Sequence, residues 1–132
     1  MNEGRYGFER TLEGVTIEEA RSRVTDALAA EGFGVLTEID VKATLKKKLD
    51  VDFRPYLILG ACNPNLAHRA LGLEPEIGLL LPCNVVVQEA AGGVQVSVID
   101  PKAVFSVVEN PELETVAAEV EEKLRRALHA LG

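Results

Sequence analysis

The spacing of hydrophobic positions changes period several times along the chain, and each change marks an element. Tyr6–Leu12 reads as a first strand. Thr16-Ile17-Glu18-Glu19 has the form of a capping box, with Thr16 at the N-cap and Glu19 at the third helical position. Ile17, Ala20, Val24, Ala27 and Leu28 follow at helical spacing, and Gly32 suits the residue just past the helix end. Phe33, Val35, Thr37 and Ile39 alternate, which predicts a strand over Phe33–Ile39 with those four on one face. Asp40 is placed to cap a short helix in which Val41, Leu45 and Leu49 recur every four residues.

Beyond Pro55 the segment Tyr56–Cys62 is nearly all apolar, the mark of a strand covered on both faces. Asn63 and Pro64 supply an N-cap and a first-turn proline for a third helix, with Leu66, Ala67, Ala70 and Leu71 inward and a stop near Gly72. Leu79–Glu89 and Val94–Ile99 read as two strands joined at Gly92-Gly93. Val94, Val96 and Val98 point one way; Gln95 and Ser97 point the other. Asp100-Pro101 breaks the pattern. The longest stripe runs from Pro111 to Leu131 through Leu113, Val116, Ala117, Val120, Leu124, Ala127, Leu128 and Leu131. Its acids lie early and its bases late, as the helix dipole favours.

The order β-α-β-α-β-α-β-β-α predicts an α+β (mixed α/β) fold: a single mixed sheet of about five strands with helices packed on it. With 132 residues and no linker or repeat, residues 1–132 form one domain. Aromatics are 5% of the chain and Trp is absent, so the core rests on Val, Leu, Ile and Ala.

A formal net charge of −7 disfavours nucleic-acid binding, which needs a positive footprint. The one basic patch, Lys42, Lys46, Lys47 and Lys48 with Arg54, lacks an aromatic stacking platform and reads as a solvated helix face. Neither a signal peptide nor a membrane-length apolar run is present, which points to the cytoplasm and to reduced thiols.

The candidate chemistry gathers at two Cys–Asn steps, Cys62–Asn63 and Cys83–Asn84. Cys62 stands where a strand hands over to a capped helix, a position that favours the thiolate; the plainer account is a small buried hydrophobe ending a strand. Cys83 follows Pro82, which marks a strand irregularity or simply a strand start. The two cysteines are 21 positions apart and do not form a CxxC motif. His68, off the apolar stripe of its helix, is either an uninvolved surface residue or a third donor. With Cys62 and Cys83 it would make a set suited to zinc or copper, with Glu74 or Glu76 as a further donor. No Walker, dinucleotide or Ser-His-Asp cue is present.

The central stretch carries a further signal. Gly60-Ala61-Cys62-Asn63-Pro64, Leu66-Ala67-His68-Arg69-Ala70-Leu71, the run Glu76-Ile77-Gly78-Leu79-Leu80-Leu81-Pro82-Cys83-Asn84-Val85-Val86-Val87, and then Gly93, Val96 and Asp100-Pro101 resemble the family called domain of unknown function 302. The resemblance implies a compact α/β fold, found mostly in bacteria and archaea, with no agreed activity. Three readings stay open. One is a small binding module that holds a small ligand or soft metal near Cys62, Asn63, His68, Cys83 and Asn84. The second is a thiol-dependent redox enzyme using Cys62 and Cys83. The third is a homo-oligomeric scaffold, most simply a homodimer, without small-molecule chemistry.

Overall fold

The computed structural model describes residues 1–131. Strands β1 (Asn2–Glu3), β2 (Gly7–Glu13), β3 (Gly34–Asp40), β4 (Tyr56–Cys62), β5 (Cys83–Ala90) and β6 (Gly93–Ile99) form one sheet in the order β1-β2-β6-β5-β4-β3. Helices α1 (Ile17–Ala30), α2 (Val41–Leu49), α3 (Pro64–Leu73), α4 (Pro101–Phe105) and α5 (Pro111–His129) complete the fold, with 3₁₀ turns at Ile77–Leu80 and Ser106–Val108.

The α+β class and the single sheet agree with the sequence reading; the direction of the strands refines it. Every neighbouring pair is antiparallel. The one parallel-type crossover, β2-α1-β3, carries the chain to the far edge, with β6, β5 and β4 lying between its two strands. Periodicity reports elements and not their neighbours, so this arrangement was not legible in the pattern. The two-residue strand β1, held to β2 through Asn2↔Glu9 and Glu3↔Phe8, is too short and polar to have left a signal.

Local chemistry sets the helix ends as the sequence indicates. Thr16 Oγ1 accepts from the Glu19 backbone N–H at 3.1 Å. At the other end of α1 the Gly32 N–H donates to the Ala29 carbonyl at 3.0 Å and the Phe33 N–H to the Leu28 carbonyl at 2.9 Å, a Schellman closure with Gly32 at φ 85°. Asp40 Oδ1 caps α2 at Ala43 N. Asp100 and Asn110 cap α4 and α5 in the same way, each followed by proline in the first turn. Asp100-Pro101 therefore starts a helix as well as ending a strand.

Helix α5 lies against α1, α3 and α4, and α1 lies against β3, β5 and β6. Leu113, Val116, Ala117, Val120, Leu124, Ala127, Leu128 and Leu131 are all buried, as their spacing predicts. Beneath them Val94, Val96 and Val98 of β6 meet Val85 and Val87 of β5, all 4% exposed or less. Burial of each such side chain contributes about 1.5–3 kcal/mol, which makes this aliphatic layer the main source of stability.

Four expectations fail in detail. Tyr56–Cys62 is not covered on both faces: Leu59 and Ala61 pack under the helices, whereas Tyr56 and Ile58 face the open side and are half-buried. The alternation over Phe33–Ile39 is interrupted by a register shift between Val35 and Thr37, so the four residues do not share one covered face; Phe33 is buried and Ile39 exposed. Leu79–Leu81 is not strand. The chain turns through Ile77–Leu80 with Leu79 84% exposed, and β5 begins only at Cys83, after the cis Leu81–Pro82 bond. Proline has no N–H for a ladder, and it stands just outside the strand. Leu71, expected inward, is also exposed, because α5 covers α3 only on the side of Leu66 and Ala70.

Candidate functional site

Strands β4 and β5 pair through Ala61↔Cys83, which places the end of one strand beside the start of the other. Cys62 is the last residue of β4 and Cys83 the first of β5, so the two thiols stand at the same end of neighbouring strands. Both line one cleft, closed by Ala61, Leu66, Phe105 and Val116. Two cysteines 21 positions apart are thus brought to one place by strand pairing. The helix residues opposite them were not legible as site residues, because Val116 belongs to a stripe that reads only as core and Phe105 to a helix without a visible pattern.

The two thiols differ in environment. Cys62 is half-buried and Cys83 is buried; neither is in a disulfide. Burial pushes the Cys83 thiol up to about 11, and the nearby Cys62 adds to the rise by like-charge repulsion. The cleft has room for only about 20 Å³ of solvent, close to a single water, and its walls are almost wholly hydrocarbon.

The asparagines part company. Asn63 caps α3, its Oδ1 accepting from Leu66 N at 3.3 Å, and its Nδ2 donates to the Glu31 carbonyl at 3.3 Å. Its amide therefore ties the start of α3 to the end of α1 and has little left for a ligand, although the residue lines the cleft. Asn84 alternates to the open face of the sheet, exposed and opposite Gly60. His68 is exposed on α3 and does not line the cleft. Glu74 accepts from Asn110 Nδ2 at 3.0 Å, and Glu76 is exposed. Among the described residues no three His, Cys, Asp or Glu side chains converge as a metal-ligand group. The five sequence candidates thus reduce in space to the two cysteines, with Asn63 as the device that holds the helix above them.

Gly60 shows how tightly this end is built. A Cβ there would lie 2.2 Å from Thr37 Oγ1 and 2.7 Å from Pro82 Cγ. Only glycine lets Pro82 approach β4 so closely, and that approach positions Cys83.

The comparisons agree with the fold. The family model described as "Domain of unknown function DUF302" matches residues 8–131. The crystal structure of an uncharacterized conserved protein DUF302 from Bacillus stearothermophilus is similar, with a TM-score of 0.88 and 30% sequence identity over 96% of this chain and 98% of that one. No curated protein matches the chain. Among the described residues no helix is long and apolar enough to cross a membrane.

Proposed function

Because the chain belongs to the DUF302 family, whose description carries no activity, we propose from its own geometry that it is a binding module for a single soft metal ion held between Cys62 and Cys83. The observation that supports this reading is that two cysteines from neighbouring strands line one small hydrocarbon-walled cleft. Its volume suits one atom-sized guest and excludes a metabolite. Thiolates are soft donors and prefer copper(I) or zinc. Zinc is ordinarily four-coordinate, and among the described residues no third donor joins the two cysteines, which favours copper(I). Burial holds Cys83 protonated until a cation replaces its proton, so metal uptake releases protons and strengthens with pH.

The test is titration of the reduced protein with copper(I) against a chromogenic chelator. The expected result is one ion per chain, binding lost in Cys62→Ser and Cys83→Ser, and unchanged affinity in His68→Ala. Equal affinity in the double serine variant overturns the reading. Redox use of the same pair is less favoured, since a thiol at about 11 is almost wholly protonated at neutral pH and a poor second nucleophile.

One observation supports the homodimer reading. Strand β3 is a free edge of seven residues, with Leu36 68% exposed. Light scattering of the wild type and of Leu36→Lys tests it, with a dimer that dissociates in the variant as the expected result.

A further inference from the structure

We propose that the open face of the sheet, opposite the helices, carries a second binding site, for a small planar lactam bearing an anionic group. A groove of about 380 Å³ lies there, within the range of small-molecule sites. Tyr6, Tyr56, Gln88, Gln95 and Ser97 line it, with Arg5 at its N-terminal turn.

A polar row crosses this face from Arg54, just before β4, to β2. Arg54 Nε donates to Gln88 Oε1 at 3.0 Å; Gln88 lies directly opposite Gln95; Gln95 Nε2 donates to a carboxylate oxygen of Glu9. The ends of the row fix both amides. A guanidinium only donates, so Gln88 must turn its oxygen to Arg54, and a carboxylate only accepts, so Gln95 must turn its nitrogen to Glu9. The two glutamines are not hydrogen-bonded to each other among the described residues, which leaves an amide donor on Gln88 beside an amide acceptor on Gln95. That pair is the complement of a lactam edge, in which a C=O stands next to an N–H.

Charge places the anion. Among the described residues Arg5, in the groove's lining, and Arg54, beside it, make no ion pair, although four of the protein's other arginines do; of the two, only Arg54 is fixed by ring contacts and a side-chain hydrogen bond. Its guanidinium carbon is 4.5 Å from the Phe53 ring centre and 5.7 Å from that of Tyr56. Ring stacking and the bond from Nε hold the side chain in place with both terminal nitrogens free, the fork that binds carboxylate or phosphate. Glu9 repels an anion from the other end of the row. The ligand therefore lies with its charge toward Arg54 and its ring over the glutamines, beside Tyr56.

The probes are orotate, a lactam ring with a carboxylate, and uridine 5′-monophosphate, a lactam ring with a phosphate; uracil and inorganic phosphate are the controls that lack charge or ring. Binding is followed by NMR through the Gln88 and Gln95 side-chain amides. At least one anionic lactam should bind roughly tenfold or more tightly than either control. Orotate alone assigns a carboxylate ligand, the nucleotide alone a phosphorylated one. Arg54→Leu should weaken the anionic probe about tenfold and leave uracil unchanged; Gln95→Leu should weaken both; Cys62→Ser, on the other face, should change nothing. If neither anionic probe exceeds the controls, or if Arg54→Leu binds like the wild type while retaining its melting temperature, the proposal is overturned.

Discussion

Asn63 is hydrogen-bonded to the Glu31 carbonyl, which joins the first turn of α3 to the last of α1 through one side-chain amide. The same amide caps α3 through Leu66 N, and the Gly32 turn packs against it: a Cβ on Gly32 would meet Nδ2 at 3.0 Å.

Replacing Asn63 separates the two duties. Asn63→Ala removes the cap and the bridge and should destabilise the fold by about 1–2 kcal/mol. Asn63→Asp keeps a capping oxygen and gains from the helix dipole, but loses the donor to Glu31, so it should fall between alanine and wild type. Urea unfolding of the three proteins reads the order directly.

Cys83 makes a specific alkaline signature. Its proton is held more tightly in the folded state than in the unfolded one, about 11 against the ordinary 9.0. Below pH 9 both states carry the proton and the thiol contributes no pH dependence. From pH 9 to about 11 the unfolded chain ionises and the folded one resists, so stability falls as pH rises. Melting curves from pH 8 to 11 should show this loss in wild type and a shallower one in Cys83→Ala. In the same protein a chromogenic disulfide at pH 8 should modify Cys62 well before Cys83.

At Gly60 even one methyl group is too many. Thr37 is exposed and can turn aside, but the Pro82 ring can change only its pucker. Gly60→Ala should therefore cost at least about 2 kcal/mol, of which a second change, Thr37→Gly, restores only part. Full rescue by Thr37→Gly would show that Pro82 is not held against the strand.

Arg10 connects the sheet to the end of the longest helix. Its Nη1 donates to the Leu128 carbonyl at 3.2 Å, which also accepts from the Leu131 N–H, and to the His129 carbonyl at 2.8 Å, placing a cation at the negative end of α5. Arg10→Ala should lower stability by about 1–2 kcal/mol, with Arg10→Lys intermediate, since lysine keeps the charge but not the fork. Chemical unfolding with both variants checks the order.

Legibility in the sequence followed the range of the interactions involved. Thr16, Asp40, Asn63 and Gly32 were readable as caps because each acts on a backbone group within a few residues. The stripes of α5 and β6 were readable because burial on one face imposes a period on neighbouring positions. The family resemblance, resting on the same central stretch, was readable as well. The convergence of Cys62 and Cys83 was not, since nothing local to either residue encodes the pairing Ala61↔Cys83. Nor was the dispersal of the other candidates: Asn84 alternates to the far face, His68 turns to solvent, and Asn63 is taken up by Glu31.

The sequence by itself determined the α+β class, most of the elements, their caps and the aliphatic core, because those depend on propensity and period along one segment at a time. Only the tertiary structure decided the antiparallel order of the sheet, which face stays open, and which polar side chains meet there. Strand pairing, the approach of Pro82 to Gly60 and the row from Arg54 to Glu9 join residues far apart in the chain. Their geometry is set by how the layers close on one another, a cooperative outcome that no local pattern records.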